Sequence, residues 1–358
     1  PGMSLPGFTK SSRNQRWRKN HSMRDVARLP EDDRRDLFRA AAQKMRVHEA
    51  IVEKDFWVCW ILDYVFHDYP SKDHFVFKGG TSLSKAFGAI ERFSEDIDLI
   101  LDWKLLGYSE EEPWQERSAT KQDAFGKESN RRTAIFLAHN FAPTIQQGLS
   151  ERIGRTIEVE AREQDVLITY PAAFSLAAIQ PQIRLEIGPM AAWVPNEQRA
   201  IHPYASDHFP QLFKQAETSI CTIVAERTFW EKATILHQEA HRGPDKSLPR
   251  HYSRHYYDLY RLSLLPIRDN ALKKIDLLQD VVRFKMRFYR CPWARYEDAK
   301  CGSLKLLPPE HHLAGLKRDY EAMQAMIFGQ IPSFEEIVAQ IKSLEKMVNG
   351  SKKPRLPL

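Results

Sequence analysis

The sequence predicts an α/β (α+β) chain in which a mixed sheet flanked by helices is followed by an all-helical C-terminal domain. Three observations lead there. Short β-rich runs are confined to the middle third, apolar residues recur at helical spacing on both sides of it, and one segment reads strand, glycine turn, helix, strand. At 358 residues the chain exceeds the size at which one hydrophobic core usually stops growing, so two domains are expected.

Residues 1–22 mix Gly, Pro, Ser, Arg and Lys without periodicity and are expected to form a mobile basic lead. Between Pro30 and Phe66, residues such as Val52, Phe56, Trp60 and Val65 fall at helical spacing, which predicts two amphipathic helices covering one face of the sheet. Strands are expected at Phe75–Phe77, Ile97–Leu101, Thr156–Ala161, Val166–Tyr170 and Ile183–Ile187, where β-branched and aromatic residues cluster. Ala119–Leu149 has helical spacing and few breakers, and reads as a helix pair. After about Pro210 no strand is expected: Ile220–His241, Arg254–Leu265, Ile275–Tyr289, Leu313–Phe328 and Phe334–Val348 all read as helices. A boundary placed in Pro203–Phe213 divides a core over 23–208 from a helical domain over 209–358.

Composition narrows the class. With 42% hydrophobic and 28% charged residues the chain belongs with globular proteins. A formal charge of +6 attracts polyanions such as nucleic acid. The four cysteines, Cys59, Cys221, Cys291 and Cys301, lack paired spacing, and no apolar stretch reaches bilayer length, so a cytoplasmic protein without a disulfide framework or membrane span is expected. His237 and His241 lie one helical turn apart, but no glutamate directly follows His237 and no third ligand is evident, so zinc is not expected. Ser82 and Ser94 lack a paired histidine, which argues against hydrolase chemistry.

The densest chemistry lies in Phe75–Leu101. An apolar strand runs into Lys78-Gly79-Gly80-Thr81-Ser82, then a helix, then Asp96-Ile97-Asp98-Leu99. The glycines permit backbone conformations that bring main-chain N–H groups close to an anion, and Thr81 or Ser82 can cap the helix behind them, which suits a triphosphate. Lys78 and Lys85 at the ends of this turn and helix join them as candidate nucleotide-binding residues. Leu83, Ala86, Phe87 and Ile90 share a helical face that would pin the helix to the sheet. Asp96 and Asp98 alternate with aliphatic residues, so on a strand both carboxylates share one side and repel unless a cation lies between them; Mg²⁺ (or Mn²⁺) is the usual resolution. Glu186, on the strand Ile183–Ile187, is the candidate third metal ligand and activator of the attacking hydroxyl.

Farther along, Arg283, Lys285, Arg287, Arg290 and Arg295 interleave with Phe284, Phe288, Tyr289, Trp293 and Tyr296, offering phosphate contacts beside stacking surfaces, as an RNA partner would need. An amphipathic helix with a basic outer face gives the same pattern.

These segments resemble the polymerase-β-type nucleotidyltransferase superfamily, and within it the AbiEii/AbiGii toxin family, which includes the MenT toxins. The resemblance rests on Val52-Glu53-Lys54-Asp55-Phe56-Trp57-Val58, FKGGTSLSKAF at Phe77–Phe87, RFSEDIDL at Arg92–Leu99, ERTFWEKATILHQEAHR, SRHYYDLYRL and the C-terminal DYEAMQAMIFGQIPSFEEI. It implies a polymerase-β-like core using a nucleoside triphosphate, with metals on Asp96 and Asp98 and the triphosphate on Gly79–Ser82. It also implies that Lys232 neutralises phosphate charge, and that Asp258, with Arg254 in register, orients Lys232 or the nucleotide. His255 stands where many relatives carry an aspartate, and the step from Gly80 to Asp96 is slightly longer than the superfamily pattern. Family members are toxins of toxin–antitoxin or phage-defence systems, and some add nucleotides to the 3′ acceptor end of tRNA and so block translation, which implies NTP, tRNA and a cognate antitoxin as partners. Two alternatives remain from the residues: transfer to a protein hydroxyl, or a non-catalytic module binding RNA or antitoxin.

Overall fold

Seven strands form one mixed sheet in the computed structural model, which describes residues 21–94, 96–176 and 179–350. They are β1 (Phe75–Lys78), β2 (Asp96–Leu101), β3 (Glu158–Arg162), β4 (Asp165–Thr169), β5 (Gln182–Gly188), β6 (Asn196–Ile201) and β7 (Thr218–Ile223). Their spatial order is β3-β4-β5-β2-β1-β7-β6, parallel between β2 and β5 and between β1 and β7 and antiparallel elsewhere. The strands expected from sequence are all present, each within two residues of its expected bounds. The basic lead expected over residues 1–22 lies, but for its last two residues, outside the described residues.

The expectation that strands end near Pro210 is overturned. Thr218–Ile223 is β7, deep in the sheet, and only Val224 separates it from the helix that follows. Its Ile220 and Ile223 extend the apolar spacing of that helix backwards, so strand and helix read as one element. β6 escaped notice for a different reason: as an edge strand of sequence Asn-Glu-Gln-Arg-Ala-Ile it carries charge instead of an apolar stripe.

Alternation gives the sheet two faces. Phe75, Phe77, Ile97, Leu99, Leu101, Ile183, Leu185 and Ile187 point into a core roofed by α1 (Glu31–Met45) and α2 (Glu49–Asp63), whose Phe38, Phe56, Trp57 and Trp60 are fully enclosed. The charged run Glu53-Lys54-Asp55 is buried within α2. Glu53 accepts backbone N–H groups of Ala173 and Phe174 at 2.8 and 3.0 Å, so the run ties the helix to its surroundings while remaining out of solvent.

On the opposite face lie Val76, Lys78, Asp96, Asp98, Ile100, Arg184 and Glu186. The glycine turn opens α3 (Gly79–Lys85), while α4 (Ala119–Phe136) and α5 (Ala142–Ile153) cross between β2 and β3. Beyond the sheet come α6 (Ala225–Glu239), α7 (Ser253–Ser263), α8 (Pro266–Lys273), α9 (Ile275–Phe288), α10 (Glu310–Met323) and α11 (Phe334–Gly350). They bury a second core that includes Trp230, Tyr256, Leu262, Val281, Tyr320 and Ile341. The helix does lie against the sheet, Thr81 bonding to the Asp96 carbonyl and Ala86 packing on the first core, but of the expected shared face Leu83, Phe87 and Ile90 turn to the second core. The helix also stops at Lys85, and Gly88 turns the chain at φ +57°. The glycine turn is therefore held between the two cores. No helix among the described residues is long and apolar enough to cross a membrane.

Candidate active site

Strand register brings the acidic residues together. Lys78 pairs with Asp98, Asp98 with Glu186, and Glu186 with Asp165, so one row crosses β1, β2, β5 and β4. In the next row Asp96 pairs with Arg184. Like charges directly opposite destabilise a sheet unless compensated. Here the compensation is partial. Lys78 Nζ stands 4.0 Å from Asp98 Oδ1, while Arg184 grips both oxygens of Asp96 at 2.9 and 2.7 Å and reaches toward Asp165 at 3.6 Å. Burial works against the charge on Lys78, but Asp98 first, with Tyr289, Glu231 and Glu186 behind it, holds the ammonium above its ordinary pKa. Although Glu186 is exposed at its tip, desolvation by the surrounding protein and then the Asp98 charge push its carboxyl up, the direction that makes a stronger base.

Both glycines are required, for closer contacts than a phosphate alone would demand. Gly79 sits at φ +84°, and a Cβ there would meet Asp98 Oδ2 at 1.9 Å; a Cβ on Gly80 would meet Arg92 Nη2 at 2.6 Å. The turn thus accommodates one acidic and one basic side chain on adjacent residues. The capping expected of Thr81 or Ser82 does not occur, because the helix begins at Gly79 with Lys78 at the N-cap position. Thr81 donates its hydroxyl to the Asp96 carbonyl, and Ser82, fully buried, donates to the Gly79 carbonyl at 2.9 Å, so both shape the turn from within. Lys85 is a plain correction. Its ammonium is buried 2.6 Å from Asp55 and 3.8 Å from the Tyr204 ring centroid, and is committed to the protein interior instead of a nucleotide.

Behind the turn lies a second charged cluster. Asp258 is completely buried, accepts Arg92 Nε and Nη2 at 2.7 and 2.9 Å, and lies 2.8 Å from Lys232 Nζ. Burial alone would raise its carboxyl, yet Arg92 and then Lys232 hold it well below the usual carboxylate range. Burial lowers the Lys232 ammonium, which also stands 3.2 Å from His255 Nδ1. Burial, with Lys232 and Arg254 nearby, drives His255 well below its ordinary pKa, leaving a neutral ring that accepts from Lys232. Arg254 is exposed on the same helix. Arg92 was quoted in a motif without a role. Its pairing with Asp258 and its approach to Gly80 are long-range facts that no local pattern contains.

The cleft extends beyond the row. A cavity of about 690 Å³ holds Lys78, Glu231, Lys285, Arg287, Tyr289 and Arg290 in its wall, and adjoins a second of about 1000 Å³ bordered by Trp103, Trp114, Trp193, Arg283, Arg287 and Arg290. Of the residues expected to meet RNA, Arg283 and Arg290 are exposed here, although Arg283 pairs with Asp280. Arg287 donates to the Pro113 and Gln115 carbonyls, and burial pushes Lys285 down to about 7. Arg295 turns away, paired with Asp298 at 2.5 Å. His237 and His241 serve the helical core: His237 donates Nε2–H to the Arg295 carbonyl and accepts Lys305 N–H at Nδ1, both at 3.0 Å.

Among the described residues no three acidic, histidine or cysteine side chains are gathered as a metal cage. The donor set nevertheless suits a hard divalent cation. Asp98 and Glu186 are neighbours in register with incomplete neutralisation, Asp98 is allowed against the turn only because Gly79 lacks a side chain, and Asp96 needs only to part from Arg184 to join them.

A carboxylate row on a sheet, abutting a two-glycine turn backed by fixed positive charge, defines this protein as a nucleotidyltransferase. Residues 60–340 match the nucleotidyl transferase AbiEii toxin family of type IV toxin–antitoxin systems, and the chain belongs to that family. Among solved structures it is similar to MenT4, a nucleotidyltransferase toxin from Mycobacterium tuberculosis H37Rv, at 13% identity and a TM-score of 0.48 over 88% of this chain and 90% of that one. No protein of curated function matches the sequence.

Proposed function

We propose that the enzyme transfers a nucleoside monophosphate from a nucleoside triphosphate to the 3′ acceptor end of tRNA in the cytoplasm, blocking translation unless a cognate antitoxin intervenes, and that it can serve phage defence in this way. The observation that carries this reading is the row Lys78, Asp98, Glu186 with Asp96 beside it, on a strand that meets the glycine turn. Asp96, Asp98 and Glu186 would hold two divalent ions, Mg²⁺ or Mn²⁺. Such ions, when bound, neutralise triphosphate charge and make the acceptor hydroxyl more acidic.

The acceptor oxygen forms a bond to the α-phosphorus as the bond to the bridging oxygen breaks, and pyrophosphate leaves. Glu186 takes the hydroxyl proton; its raised pKa suits that task. Lys78 remains protonated beside the row and faces the triphosphate. Lys232, Arg92 and Asp258 sum to one positive charge fixed behind the turn, attracting phosphates through the backbone without leaving their buried positions. Exposed Arg290 and Arg283, with Trp114 half exposed on the same cavity wall, favour RNA over a protein as acceptor.

The test is a single reaction resolved on RNA and protein gels: purified enzyme, total RNA, Mg²⁺ and each α-labelled nucleoside triphosphate in turn. Label on tRNA-sized RNA supports the assignment and names the donor. Label confined to a protein band, or no label with any donor, contradicts it.

A further inference from the structure

Arg184 lies between two carboxylates that the catalytic reading uses differently. It stands on β5, directly across from Asp96 on β2 and diagonal to Asp165 on β4, which itself faces Glu186. Both Asp96 oxygens are taken by its planar fork, Nε to Oδ1 at 2.9 Å and Nη2 to Oδ2 at 2.7 Å, while Nη1 is already 3.6 Å from Asp165 Oδ2. A guanidinium and a divalent cation cannot share one carboxylate edge, because they compete for the same lone pairs and repel each other. The local charges are four carboxylates, Asp96, Asp98, Asp165 and Glu186, against two cations, Lys78 and Arg184, so these side chains together remain net negative.

We propose that Arg184 is a built-in counter-ion with two positions: on Asp96 when no metal is bound, and on Asp165 when a divalent cation takes Asp96. The exchange requires side-chain rotation alone, since Asp96 and Asp165 flank Arg184 on neighbouring strands. All three side chains are about a third or more exposed, 42% for Arg184, 35% for Asp96 and 34% for Asp165. The exchange therefore takes place in contact with solvent and shifts metal affinity by small factors. Asp165, which the catalytic reading leaves without a task, becomes the resting place that makes release of Asp96 less costly. The proposal rests on the reading that Asp96 binds metal.

The test measures Mn²⁺ binding to the full chain by electron paramagnetic resonance without nucleotide, in variants whose melting temperatures are recorded alongside. Arg184→Gln should bind about fivefold tighter and Asp165→Asn about threefold weaker, the size expected for partly exposed ion pairs. The double variant decides between a switch and a general charge effect. A switch predicts that Asp165→Asn changes nothing once Arg184 is gone, so the double variant matches Arg184→Gln; simple addition of the two effects overturns the proposal. Unchanged or weaker binding by Arg184→Gln overturns it as well. If Mn²⁺ binding is insensitive to Asp96→Asn, the metal assignment itself fails, and this proposal falls with it.

Discussion

The strand row and the helical cluster present opposite electrostatic situations a few residues apart. On the row, carboxylates outnumber cations, contacts are long or shared, and the groups are partly open to solvent. In the cluster, two cations enclose one carboxylate that is wholly buried and bonded on both oxygens. The first arrangement lacks positive charge that a ligand can bring; the second is internally satisfied and leaves a net positive charge. A metal-bound triphosphate has the complementary pattern, cation on one side and phosphates on the other. Gly79 and Gly80 join the two, each admitting a side chain from one of them.

If that contrast is right, the two regions should fail differently. The largest effect on folding is expected from Asp258→Asn, which leaves Arg92 and Lys232 buried without their counter-charge; about 3–5 kcal/mol of stability should be lost in a urea titration. The pH dependence of that stability follows from the same residue. Its folded pKa is depressed and its unfolded pKa is about 4, so its contribution is complete above about pH 4 and is lost as pH falls further. Acid melting curves of wild type and Asp258→Asn should therefore converge at low pH.

Gly79→Ala should act on the chemistry more than on the fold. The added methyl displaces Asp98, and misplacing a reacting group by an ångström can lower rate about a hundredfold, whereas the positive φ costs about 1 kcal/mol of stability. Steady-state transfer rates and melting temperatures measured together separate the two. Smaller still is Lys232→Met. Asp258 keeps its bidentate partner Arg92, so the fold should hold while KM for the triphosphate rises about tenfold, the loss of one fixed positive charge acting at a distance. An unchanged KM would remove the phosphate-attracting role from the cluster.

The sequence was most legible where residue spacing and packing agree. Asp96 and Asp98 share a face because strand side chains alternate, and Glu186 was found by the same rule; register then placed Glu186 opposite Asp98, a long-range fact that no local pattern contains. A lysine near a glycine turn looks like a phosphate ligand, whereas the true partner of Lys85, Asp55, is thirty residues earlier in a charged run that looks solvated and is in fact buried. β7 was hidden because Val224 alone separates it from α6. Asp258 and Lys232 were identified through motif resemblance, but their burial, and the fact that Arg92 completes the cluster, emerge only when residues 166 positions apart come together.

The most direct measurement compares Asp98→Asn with wild type for labelled nucleotide transfer per folded molecule. The account predicts transfer at least about a thousandfold lower, the scale of losing a group that stabilises charge at the reacting centre, with a melting temperature close to wild type because the like-charge neighbour of Glu186 and the counter-ion of Lys78 are removed together. Transfer within tenfold of wild type, by a protein that folds normally, would contradict the assignment of the carboxylate row as the reacting centre.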